Sequence, residues 1–221
     1  MKNIIYALFF FSVSSYAGFG LETTRVVYHG NEAKTSFVAF NDSEASSGEN
    51  FLIQSWVSDL TGKESDHFIM TPPIFKLSAS EKNAINITKV ANLPEDKESM
   101  YWINVRFISP EKKEGDSNPI NYSFTNKIKL IYRPDVLLNE SIDKQFKLIS
   151  VKKNQDGFEI VNPTPFYINI NRVVFNGNDI ENKGYILPNS SLALNKVKEN
   201  GSVSVFFLND LGAEIEYSYK L

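Results

Sequence analysis

Ile120-Asn-Tyr-Ser-Phe-Thr-Asn-Lys-Ile-Lys-Leu-Ile-Tyr-Arg-Pro134 is the stretch whose reading decides the fold. In an extended chain Ile120, Tyr122, Phe124, Asn126, Ile128, Leu130 and Tyr132 share one face. Asn121, Ser123, Thr125, Lys127, Lys129, Ile131 and Arg133 share the other. That period of two specifies a β-strand. A usual strand runs about five to six residues, so this one is roughly twice the length a sheet requires. It stops at Pro134, which lacks the N–H needed to continue a ladder. The surplus of apolar strand is available to pair with something outside its own sheet.

On the N-terminal side, short β-prone runs fall at 21–28, 35–40, 51–57, 74–77, 84–88 and 101–107, separated by polar loops. Trp56 falls where a sandwich buries a large aromatic, and Thr71-Pro72-Pro73 cannot lie in a central strand. Beyond Pro134 the pattern restarts at 146–151, 157–161, 167–173, 185–187, 191–194, 202–208 and 214–219. No long window holds a helical stripe. The pattern predicts an all-β chain of two immunoglobulin-like β-sandwich domains, 18–134 and 135–221. The linker between them is short, which sets the two at a fixed angle.

Residues 1–17 read as a secretory signal peptide. Lys2 supplies the charge, 4–11 the apolar run, and Ser15-Tyr16-Ala17 the cleavage site. The apolar run is too short to span a bilayer, so the mature chain is expected to start at Gly18 and to be exported.

Composition narrows the function. With 221 residues, 42% hydrophobic and 22% charged, the chain is an ordinary globular one, and a net charge of −3 gives no broad footprint for nucleic acid. The absence of cysteine excludes disulfides and thiolate chemistry. His29 and His67 both fall in or beside loops and read as solvated. No nucleophile elbow, phosphate loop or metal spacing is present, so neither an enzyme nor a cofactor or metal is expected. Arg25, Lys127, Lys129 and Arg133 all lie on strands. Singly, each reads as a solvated face or an edge guard. Together beside Pro134 they suit a pocket for one carboxylate, although spacing alone does not bring Arg25 to Lys129.

Several runs carry a family resemblance. Leu93-Pro-Glu-Asp-Lys-Glu-Ser-Met-Tyr-Trp-Ile-Asn104 closely resembles the signature segment of periplasmic pilus chaperones of the chaperone–usher pathway. Thr71-Pro-Pro73 resembles their proline pair, and Asn126-Lys-Ile-Lys-Leu-Ile-Tyr-Arg-Pro134 the end of their long first-domain strand. Asn162-Pro-Thr-Pro-Phe-Tyr167 and Asn209-Asp-Leu-Gly212 match second-domain motifs. The resemblance implies a boomerang of two sandwiches that binds pilus subunits in the periplasm and delivers them to an outer-membrane usher. It implies that Arg25 and Lys129 anchor a subunit's C-terminal carboxylate. Ile120, Tyr122 and Phe124 would be lent into the subunit as a donor strand, and Glu98, Arg133 and Asp210 would form an interdomain ion-pair network. By strict parity Lys129 lies opposite the apolar stripe, so the strand would serve a groove with one face and the cleft with the other. The short loop 108–119 and the lack of cysteine resemble the short-loop branch of the family, and Tyr122 is bulkier than the aliphatic residue usual there.

Two rivals remain on sequence grounds: a fimbrial structural subunit or adhesin built from two sandwiches, and a periplasmic sugar-binding or hydrolytic sandwich. An exposed apolar strand also makes self-association an expectation.

Overall fold

The computed structural model describes residues 18–44, 50–109, 122–195 and 200–221. Residues 1–17, expected to be a signal peptide, and Ile120 lie outside the described residues.

Nine strands build the first sandwich: β1 (Phe19–Leu21), β2 (Arg25–His29), β3 (Thr35–Asn41), β4 (Phe51–Ser58), β5 (Phe68–Thr71), β6 (Ile74–Leu77), β7 (Glu81–Lys89), β8 (Ser99–Ile108) and β9 (Ser123–Arg133). One sheet runs β1-β3-β7-β5 and the other β2-β9-β8-β4-β6. Their inward alternate residues interlock. Phe37, Ile85 and Ile87 of the first sheet meet Phe51, Ile53, Ile103, Val105, Phe107 and Leu130 of the second. Burial of this kind supplies the main drive for folding, about 25 cal/mol per Å² of apolar surface.

Three sequence expectations need correction here. The run 21–28 is not one strand. β1 pairs antiparallel with β3 in one sheet, whereas β2 pairs parallel with β9 in the other, so the chain changes sheets at 22–24. Thr23 marks the corner, its hydroxyl donating to the Arg25 carbonyl at 2.6 Å. Trp56 is not in the core. Phe51, Ile53, Ser55 and Val57 take the inward positions of β4, which turns Trp56 outward beneath the Arg106 guanidinium, 5.3 Å from its ring centroid. The run 146–151 opens not as strand but as a 3-10 turn, Phe146–Leu148, after the four-residue helix Ile142–Gln145.

The second sandwich contains β10 (Ser150–Lys153), β11 (Gly157–Asn162), β12 (Ile168–Phe175), β13 (Asn178–Ile180), β14 (Tyr185–Ile186), β15 (Ser190–Asn195), β16 (Ser202–Leu208) and β17 (Glu214–Lys220). A sheet β10-β11-β15 faces a sheet β13-β12-β16-β17, with β14 also paired to β12. Phe146, Phe158, Phe166, Phe207, Ile160, Ile168 and Val205 fill the space between them.

The two sandwiches meet through a third apolar cluster, in which Met100 and Ile131 of the first pack against Tyr167 of the second, flanked by Leu60, Trp102 and Tyr185. At its edge lies Arg133, 6% exposed, with its Nε 2.6 Å from Glu98 Oε1 and its Nη atoms 2.7 and 3.1 Å from the two oxygens of Asp210. Glu98, 2% exposed, uses its other oxygen to accept the Tyr167 amide at 2.7 Å, and its own N–H donates to the Pro165 carbonyl at 2.9 Å. Burial pushes the Glu98 carboxyl up from its usual range, and Arg133 and the Tyr167 amide pull it back.

Candidate subunit-binding cleft and donor strand

The parity of β9 divides its work. Leu130 and Tyr132 enter the first core, and Ile128 packs against its margin. The alternate residues Lys129, Ile131 and Arg133 face the second sandwich: Ile131 joins the apolar cluster there, Lys129 reaches Asn169 and Arg133 reaches Asp210. Because β2 lies parallel to β9 with Arg25 directly opposite Lys129, their backbones stand about 4.8 Å apart and their side chains share that face. Residues more than a hundred positions apart in sequence are thereby made neighbours.

The four strand cations separate into three environments. Arg133 is consumed by Glu98 and Asp210. Lys127 lies outside the cleft, over the Trp102 ring at 4.6 Å. Arg25 and Lys129 remain, and among the described residues neither has a carboxylate within ion-pair distance. Arg25 donates to the Asn209 carbonyl at 3.0 Å. Lys129 Nζ donates to Asn169 Oδ1 at 2.8 Å and to the Gly184 carbonyl at 2.9 Å, with the Tyr185 ring 5.6 Å away. All these acceptors are neutral. Burial lowers the Lys129 ammonium to about 8, with Arg25 adding like-charge repulsion. Burial also lowers Arg25, and Asp210 partly opposes the shift. Two half-buried cations destabilising one another form a site that favours an anion.

The other end of β9 looks outward. Its ladder with β8 runs unbroken from Ser99↔Tyr132 to Ile108↔Ser123, but β2 covers the opposite edge only over Lys129–Arg133. Across 123–128 that edge has no partner strand among the described residues. The apolar face outruns its core here. Phe124 is 52% and Tyr122 44% exposed, although Phe107 directly opposite Phe124 is fully buried. Phe124 approaches Phe19 edge-on at 6.1 Å. An open strand edge beside exposed alternating aromatics can accept a further strand, its backbone groups making the ladder and its side chains filling the partner's pockets.

The histidines do less. His67 Nδ1 meets the Tyr101 hydroxyl at 2.7 Å, and His29 lies beside Glu32. No group of three or more metal-ligating side chains occurs among the described residues. The cleft residue that sequence reading missed is Asn169, one of many asparagines and without a pattern to single it out.

Two sandwiches joined through an apolar junction, with a cationic cleft between them and a strand edge left open beside it, present a surface suited to an extended chain. Residues 18–138 match the family described as "Pili and flagellar-assembly chaperone, PapD N-terminal domain", and residues 144–219 match "Pili assembly chaperone PapD, C-terminal domain". The chain belongs to this family of pilus-assembly chaperones. It is 35% identical over 200 residues to "Chaperone protein LpfB" of Salmonella typhimurium, covering 88% of this chain and 85% of that one. Among solved structures it resembles a chain of the Salmonella enterica SafA pilin in complex with the SafB chaperone. The TM-score there is 0.82 and the identity 25%, with 95% of this chain and 99% of that one covered. It also resembles the E. coli chaperone DraB, with a TM-score of 0.80 and 27% identity over 92% of this chain and 98% of that one.

Proposed function

We propose that this chaperone binds pilus subunits in the periplasm by lending them a strand, and that residues 1–17 direct its export. The observation that carries the reading is the pairing of Arg25 with Lys129 on one cleft face, without an acidic partner among the described residues, in line with the open half of β9. A subunit's C-terminal carboxylate supplies the missing charge through short, charge-assisted hydrogen bonds. With that terminus fixed, the subunit's last strand runs alongside 120–124 and its groove receives Ile120, Tyr122 and Phe124. Each inserted side chain contributes roughly 1.5–3 kcal/mol of burial. The relative SafB is seen with a pilin, which supports the same class of partner here.

Glu98, Arg133 and Asp210 hold the angle that lets one ligand touch the cleft and the strand together. The domains so joined are 18–134 and 135–221. The role is non-catalytic, with release by exchange against the next subunit's strand at an outer-membrane usher. The test is co-expression of a cognate pilus subunit with the wild type, Arg25→Ala or Lys129→Ala. Soluble subunit and recovered complex fall sharply in both variants. Unchanged recovery in both would show that the cleft does not anchor the subunit.

A further inference from the structure

Resting on the reading that the cleft takes a carboxylate, we propose that Asn169 is a third anchor, its Nδ2 amide donating to the same carboxylate that Arg25 and Lys129 hold. Asn169 belongs to β12, where the burial pattern breaks alternation: Ile168, Asn169 and Ile170 are all buried in succession. Ile168 and Ile170 enter the second core, and Asn169 faces the opposite way, onto the first sandwich. The position is 3% exposed, where an asparagine costs free energy unless its amide is used.

Half of that amide is accounted for. Oδ1 accepts from Lys129 Nζ at 2.8 Å. An ammonium only donates, so this contact fixes which end of the amide is oxygen and turns Nδ2, with two N–H groups, away from Lys129. Nδ2 has no acceptor among the described residues. It is not sealed off, because no fully buried side-chain nitrogen or oxygen there lacks a partner. Nδ2 therefore opens to the cleft, beside the two cations that lack a counter-charge. One oxygen of a bound carboxylate can take the ammonium while the other takes the amide. An aspartate here would be an internal counter-ion for Lys129. Asparagine gives a polar contact without occupying the site.

The test is an NMR titration of the purified, isotopically labelled protein with N-acetyl-phenylalanine and, as control, N-acetyl-phenylalaninamide. Wild type, Asn169→Leu, Asn169→Asp and Arg25→Ala are compared. The free acid moves the Asn169 side-chain amide resonances and the amide control leaves them in place. Asn169→Leu keeps the size of the side chain and weakens the acid about tenfold, the worth of one hydrogen bond to a charged group. Asn169→Asp weakens it further. Arg25→Ala also lowers affinity, which verifies the carboxylate site itself. The inference is overturned if Arg25→Ala weakens the acid while Asn169→Leu stays within twofold of wild type and the Asn169 resonances do not move. If wild type does not distinguish acid from amide, the carboxylate reading of the cleft fails, and the inference with it. Should the leucine variant not fold, the response of the wild-type Asn169 resonances decides alone.

Discussion

Raising the pH should switch off subunit anchoring well below the pH at which an ordinary lysine loses its proton. In the free chaperone Lys129 titrates near 8, because burial disfavours its charge, Arg25 repels it and its acceptors are neutral. A carboxylate bound beside it adds a counter-charge that offsets the burial and the repulsion from Arg25 and returns the ammonium towards its ordinary value, about 10.4. The free and bound states then differ by up to about 0.9 proton between these values, most near pH 9. Affinity should fall by up to about sevenfold per pH unit there, for a loss of about sixtyfold between pH 7 and pH 10. The stability of the free chaperone moves the other way. Its native state holds fewer protons than the unfolded chain in this window, so stability rises with pH while binding weakens. Calorimetry with a peptide copying the C-terminal strand of a pilus subunit tests this. At pH 9, buffers of different ionisation enthalpy should reveal the uptake of nearly one proton per peptide bound. Lys129→Arg, whose guanidinium stays charged, should flatten the profile. An affinity constant from pH 7 to pH 10 in wild type, or a fall of equal size in Lys129→Arg, would refute the linkage.

Arg133→Met strands Glu98 in the domain junction without its ion-pair partner, and removal of one member of a buried pair costs about 3–5 kcal/mol. Urea unfolding at neutral pH should show that loss, and adding Glu98→Leu should restore much of it. Equal stability of the single and double variants would mean that the network contributes no buried charge pair. Phe124→Asp should abolish the subunit complex while leaving the midpoint of thermal unfolding of the free protein nearly unchanged, since half of that side chain already faces water. A drop of many degrees would instead place Phe124 in the core.

The period of β9 and the two-sandwich class were legible because alternation and proline punctuation are local signals. What failed were judgements about which sheet or face a local pattern belongs to. The run 21–28 reads as one β-prone stretch, yet Val26 and Tyr28 serve one sheet and β1 the other, the change falling in the polar segment Glu22-Thr23-Thr24. Trp56 falls where a sandwich buries a large aromatic, but in a strand parity decides, and Phe51, Ile53 and Val57 hold the inward positions. One missed element had left a signal. Asn176-Gly177, both at positive φ, closes the two-residue hairpin between β12 and β13, and such a pair is the strongest short-range hairpin cue. The cleft was half legible. Lys129 and Arg25 stood out as strand cations, but their adjacency comes from a parallel pairing across the whole domain. Asn169 joins them only through the docking of two domains.

That docking ties the network to the cleft by register. Lys129 and Arg133 are four residues apart on the same face of β9, about 13 Å along the strand. Tyr167 and Asn169 are two residues apart at the start of β12. Arg133 holds Glu98, Glu98 holds the Tyr167 amide, and so the chain of contacts that begins at Arg133 ends two residues from the group that meets Lys129. On the other side, Arg133 holds Asp210 while Arg25 holds the carbonyl of Asn209, the preceding residue. A rotation between the sandwiches would therefore move both neutral acceptors away from the two cations together. The buried charges are costly to place, and an apolar junction would serve stability equally well. What they add is a directional lock that keeps Asn169 and the Asn209 carbonyl aligned with Lys129 and Arg25, and with the open edge of β9.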